Sequence, residues 1–317
     1  KSEKYFEDNP DFNHMIGLSL MEKGELEKAK PRLDIAHELA HGPKFETQAD
    51  KWSISGDYIR YFLESNDTEG LMEVIEDIDS LLSDEDTLIS SLMKCLDGYP
   101  LEKYPMQLLI KLKEKTDHDL INADELYIAY FDTLLTMLQK AEKQSPKSVP
   151  EMKKYLKNEL INLNIEESES PLIELAVLRV KEEEMNDKEL MKRYNKLMNI
   201  KANYPEEIVA KYEAIIRYGD PAQLLDNPPE KGNMVEEYFN FYRLAAAIKT
   251  ERIAEAQKLF AQVGYTEIRR GNSSGLFLRL LNYLQSEKLI SVLEKFEMGS
   301  QFVPLVKELE NYLDSAE

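Results

Sequence analysis

The chain has 317 residues, 43% of them apolar, with only 12 Gly and 13 Pro. That is enough apolar mass for one large or two ordinary domains, and it excludes a disordered polymer. The balance of 40 basic against 60 acidic residues gives −20, a field that repels phosphate backbones and anionic headgroups and so excludes general binding to nucleic acid or lipid. A single cysteine excludes an intramolecular disulfide framework and a cysteine-rich metal knuckle.

Apolar residues recur three and four apart along nearly the whole chain, and period-two alternation is scarce, so the pattern predicts helices and no sheet. No apolar run approaches the ~20 residues that span a bilayer. The first predicted unit covers residues 10–43, a pair of helices. Gly17, Ala29 and Ala36 are small where the two helices must touch, Gly24 permits the turn, and Leu20, Leu26 and Leu33 fill the space between.

The same unit ends in His37-Glu38-Leu39-Ala40-His41. This is the HExxH spacing of zinc peptidases, which sets two imidazoles one turn apart on a helix with a glutamate between them as general base. A third ligand would have to come from Glu46, Asp50 or Glu64. Only four residues separate His41 from Glu46, with Gly42-Pro43 among them, so the chain would need an abrupt reversal. No strand precedes His37 to align a substrate. The motif is therefore read as helix packing, with His37 and His41 near a helix end where cationic side chains suit the dipole. No metal or other cofactor is expected.

Further along, residues 50–82 form a second predicted pair, with Trp52, Tyr58, Gly70 and Val74 as its bulky and small positions and Leu71, Val74, Ile75, Ile78, Leu81 and Leu82 as an apolar stripe. Asp84-Glu85-Asp86 fails the calcium-loop pattern. Cys95, within Leu92-Met93-Lys94-Cys95-Leu96, reads as a small buried hydrophobe. Leu126, Ile128, Tyr130, Leu134, Leu135 and Leu138 mark another helix. The Gln144–Pro150 interruption divides the chain into 1–145 and 146–317, both built of helical pairs. Ser170-Pro171 and Asp220-Pro221 each place a capping side chain ahead of a proline at a first helical turn. Glu182-Glu183-Glu184 is a solvated face, and Lys192-Arg193 and Arg269-Arg270 are small basic spots, the second beside a Gly271–Gly275 loop. Residues 237–264 supply a last pair, with Ala245 to Ala247 small in its first helix and Ile253, Ala256 and Phe260 in its second.

Residues 10–43 resemble a tetratricopeptide repeat position by position, through Gly17, Leu20, Gly24, Leu26, Ala29, Leu33 and Ala36, with Asn13 at the usual Trp position and Pro43 as a displaced closing proline. Residues 237–264 and 50–82 resemble one more loosely, and 100–230 shows helical pairs without the signature. The resemblance implies an all-α fold, a right-handed solenoid of stacked antiparallel helix pairs with a concave groove. It also implies that Asp11, His14, Leu18, Met21 and Glu22 line that groove. Relatives that clamp a peptide carboxylate carry Lys or Arg with Asn on this face; here His14 and Leu18 stand there instead. The mixed acidic and apolar surface suits an amphipathic helix or a peptide with basic residues. The expectation is thus a non-catalytic scaffold or adaptor that binds a protein or peptide. Two alternatives stand beside it: a zinc-dependent peptidase with His37 and His41 as ligands and Glu38 as base, and a peptide-sensing regulatory receptor. Lys1-Ser2 in place of methionine leaves room for a removed leader, so the compartment stays open between cytoplasm and export.

Overall fold

A computed structural model describes residues 8–42, 51–83, 87–162, 169–232, 234–269, 273–296 and 299–315. Among them the chain forms 17 α-helices and no strand. None of these helices is long and apolar enough to cross a membrane. The chain divides into two compact units, Lys1–Thr133 and Leu134–Glu317, a division ahead of the Ser145-Pro146 break. Glu46, Asp50, Asp84–Asp86 and Arg270–Asn272 lie outside the described residues.

In the first unit, α1 (Pro10–Glu22) packs along α2 (Leu26–His41). Asn9 caps α1, its side chain accepting from Phe12 N at 2.9 Å, and Pro10 occupies the first turn where no N–H is needed. Gly17 lies under Leu33 so closely that a Cβ would stand 2.6 Å from Leu33 Cδ2. Ala29, Leu33 and Ala36 are fully buried against it. α1 ends at Gly24 with φ +74, where Gly24 N donates to Met21 O at 2.8 Å and Glu25 N to Leu20 O at 2.9 Å. That double bond is the Schellman stop, and its left-handed residue favours glycine.

The same stop joins α3 (Lys51–Ser65) to α4 (Thr68–Asp79), with Asn66 at φ +54, Asp67 N donating to Phe62 O, and the Asp67 side chain then capping α4 at Gly70 N. α3 packs on α2 and meets α5 (Leu88–Cys95) at Gly56, where any side chain would collide with the Cys95 carbonyl. Cys95 is buried there. α6 (Tyr104–Lys113) adds Leu108, Leu109 and Leu112 to the core. The helix α7 (Ala123–Gln144) carries residues of both units.

After α8 (Val149–Asn162), the second unit is organised by α9 (Pro171–Lys181), in which every residue from Pro171 to Val180 is buried. A helix apolar on all sides belongs in an interior, and α9 packs against α8, α10 (Asp187–Asn199) and α11 (Pro205–Tyr218). It nevertheless takes two charges inside. Glu174 is bonded by Arg193 at 2.7 Å and Lys196 at 2.9 Å, so part of the Lys192-Arg193 spot serves as a structural counter-ion. Arg179, fully buried, donates to Glu213 at 2.9 Å and to Glu142 at 2.5 Å.

Ser170 stands at the N-cap of α9 with no side-chain cap bond. Asp220 instead makes a tight turn onto Ala222 N, 2.9 Å away, ahead of the four-residue α12 (Gln223–Asp226). α13 (Glu236–Lys249) and α14 (Ile253–Arg269) form a third hairpin with the same stop: Glu251 has φ +56, and Arg252 N donates to Ala247 O at 2.9 Å. α15 (Ser273–Leu281), α16 (Ser286–Leu293) and α17 (Val303–Ser315) complete the unit.

Candidate binding cleft around His37 and His41

The first unit holds a cleft of about 380 Å3 lined by Asp34, His37, Glu38 and His41 of α2, Tyr58 of α3, and Asp77, Ser80 and Leu81 at the end of α4. The i, i+3, i+4 and i+7 spacing of α2 aligns the first four on one side of the helix. The sequence match to HExxH therefore does mark a concave surface.

The imidazoles are held from behind by Ser55. His41 Nε2 lies 2.8 Å from Ser55 Oγ and His37 Nδ1 lies 3.5 Å from it, while Ser55 Oγ donates its one proton to Lys51 O at 3.2 Å. Nδ1 of His41 is left buried without a hydrogen-bond partner among the described residues. The two rings meet edge to face, with centroids 4.7 Å apart, and His37 leans on Tyr58 at 5.1 Å. Burial lowers both imidazoles to about 4; the neighbouring His37 and Lys51 charges add to the effect on His41. Both rings are therefore neutral at pH 7.

The carboxylates divide into two kinds. Asp34 is engaged: Tyr58 OH donates to it, and Lys30 Nζ reaches its oxygens at 3.0 and 3.1 Å. Burial, and after it that bond, raise the Tyr58 hydroxyl well above the usual tyrosine range. Glu38 and Asp77, both exposed, make no side-chain hydrogen bond or ion pair among the described residues. Two apolar side chains stand exposed nearby, Ile35 on α2 and Leu81 just past the end of α4. The formal charge is unevenly divided between the two units as well. Lys1–Thr133 carries 14 Lys and Arg against 30 Asp and Glu, a net of −16, whereas Leu134–Glu317 carries 26 against 30, a net of −4.

For metal chemistry, two histidines need a third donor converging on the same point. Among the described residues no group of three His, Cys, Asp or Glu is placed to hold an ion. Glu64 is taken by Tyr104 OH and by Arg60 Nε at 2.9 Å.

The five residues expected to line a groove on α1 separate. Asp11 and Leu18 are half-buried, Glu22 is exposed, and His14 and Met21 are buried. His14 Nε2 sits 2.9 Å from Asp57 Oδ2 of α3, and the other oxygen of Asp57 accepts from Tyr99 OH. This buried polar chain had no sequence signal, because its members lie more than forty positions apart. The cleft was legible only through HELAH; Tyr58 and Asp77 come from other helices. No protein family, no curated protein and no solved structure matches the chain.

Proposed function

We propose that the chain is a non-catalytic helical-repeat scaffold that binds a basic, amphipathic segment of a partner protein in the His37–His41 cleft. The observation that carries this reading is the pairing of two unpartnered carboxylates, Glu38 and Asp77, with exposed Leu81 at the cleft and neutral imidazoles behind them. Lysine or arginine side chains satisfy the carboxylates, and apolar neighbours on the same peptide face cover Leu81. The net of −16 over residues 1–133 attracts such a segment from a distance. Neutral imidazoles add no opposing charge.

The repeat architecture belongs to the same proposal. Three hairpins, α1/α2, α3/α4 and α13/α14, end their first helix in the same left-handed stop, and they are the three segments with tetratricopeptide-like spacing. Stacking of such hairpins into a solenoid would give the concave surface that a peptide needs.

The test is a fluorescence-anisotropy titration with a labelled lysine/leucine amphipathic peptide, against a glutamate/leucine peptide of the same pattern. The lysine peptide binds, weakens as salt rises, and weakens about tenfold or more with Glu38→Lys/Asp77→Lys. Equal binding of the two peptides, or no effect of the double reversal, would overturn the placement.

A further inference from the structure

In the second unit, Arg279 of α15 is a cation without a counter-ion. Every other arginine side chain described there reaches a carboxylate. Arg179 pairs with Glu142 and Glu213, Arg217 with Glu213 and more distantly with Glu142, Arg193 with Glu174, Arg243 with Glu255, and Arg252 with Asp226. Arg279 makes no hydrogen bond or ion pair among the described residues. Its nitrogens are not buried either, so the donors face water. In a chain with 60 acidic against 40 basic residues, a guanidinium with no carboxylate is the exception.

The group is nevertheless held in place. Its Cζ lies 4.2 Å from the ring centroid of Phe241 on α13 and 5.4 Å from that of Tyr238. Phe241 is buried and meets Tyr242 and Tyr283 edge to face, at 5.4 and 6.2 Å, so the platform under the guanidinium is part of the core. A guanidinium stacked on a fixed ring has little freedom left to lose on binding. Its planar edge presents paired N–H groups at the spacing of a carboxylate.

Apolar surface lies beside that edge. Tyr238 is 49% exposed, and Val235, one turn before it, is 62% exposed. Single exposed apolar residues are ordinary, but here two of them adjoin a pinned, unpaired arginine, and arginine and tyrosine are the types that carry binding energy in interfaces. The neighbouring acids do not occupy the guanidinium. Glu236 is taken by Lys231 and by Asn240 at 3.1 Å, and Glu237 is half-buried and engaged elsewhere. The second unit as a whole is close to charge balance, 26 basic against 30 acidic residues. Physiological salt screens exposed charges beyond about 8 Å, so pairing is decided locally, at Arg279.

We propose that Arg279, Tyr238 and Val235 form a second docking surface, for a partner-protein segment that carries a glutamate or aspartate beside an aromatic or aliphatic residue. The carboxylate pairs with the Arg279 guanidinium, and the apolar neighbour covers Tyr238 and Val235. The test is an NMR titration of the 15N-labelled full chain, read at the backbone amides of residues 238 and 279, with short end-blocked peptides centred on Glu-Phe, Gln-Phe, Glu-Gly and Lys-Phe. Glu-Phe binds about threefold or more tighter than each of the others. Arg279→Gln removes the preference for Glu-Phe over Gln-Phe. Tyr238→Ser, at an exposed position that leaves the core intact, keeps that preference and removes the one for Glu-Phe over Glu-Gly. No shift with Glu-Phe at millimolar concentration, equal binding of Gln-Phe, tighter binding of Lys-Phe, or a carboxylate preference that survives Arg279→Gln would each overturn the proposal. So would a phenylalanine preference that survives Tyr238→Ser. Glu38→Lys/Asp77→Lys leaves these shifts unchanged, which separates the fate of this surface from that of the cleft in the first unit.

Discussion

The imidazole Nε2 of His41 and the hydroxyl of Ser55, 2.8 Å apart, tie the end of α2 to the start of α3. A histidine that would have to ligate a metal in a peptidase is here hydrogen-bonded to a buried serine, and His37 reaches the same oxygen. The bond turns HELAH into a helix–helix contact with one open side.

That contact makes stability depend on pH. His37 and His41 are lowered to about 4 in the fold, against an ordinary value of 6.5. Between those values the unfolded chain binds more protons, so the stabilisation is fully present above about pH 6.5 and is lost as pH falls toward 4. Urea midpoints measured between pH 7 and 5.5, above the range of ordinary carboxylates, should fall steadily. His37→Gln/His41→Gln should flatten that slope. A wild-type midpoint constant over this interval would contradict the burial of the two rings.

Gly17 is a packing residue rather than a turn residue. Gly17→Ala would gain roughly 1 kcal/mol in helix propensity, yet its methyl would press 2.6 Å from Leu33 Cδ2. Overpacking of this kind costs about 1–3 kcal/mol, so the net change should be destabilising or near zero. Adding Leu33→Val should recover part of the loss by withdrawing a branch. Chemical denaturation of the two variants decides it; a clear gain in stability for Gly17→Ala would show that α1 and α2 lie farther apart.

Arg179 balances the centre of the second unit. Arg179→Met leaves Glu142 and Glu213 facing only Arg217, and uncovering one partner of a buried ionic cluster costs ~3 kcal/mol or more. Arg179→Met/Glu142→Gln restores one guanidinium to one carboxylate and should recover at least ~1 kcal/mol through coupling of adjacent sites. Additive losses in the double variant would show that the four groups do not act as one network.

Much of the fold was legible because periodicity and small residues report local contacts. Gly17, Gly24, Ala29, Leu33 and Ala36 mark the α1/α2 hairpin, and the structure places each as that spacing requires. Long-range polar pairing left no such trace. Asp57 takes His14 from α1 and Tyr99 from beyond α5, and only the folded chain brings them together. The bond from His14 to Asp57 of α3 also accounts for the burial of His14 on the face read as open. Arg179 was hidden differently: it stands in a helix apolar on every side, and that run of apolar residues was itself a signal that any charge inside must be paired.

The claim that the His37–His41 face binds rather than cuts is tested most directly by zinc content. Protein purified without chelators and exchanged through zinc-containing buffer should hold far less than one zinc per chain, and His37→Ala should not change the value. Close to one zinc per chain, lost in His37→Ala, would contradict the account and make Glu38 a general base.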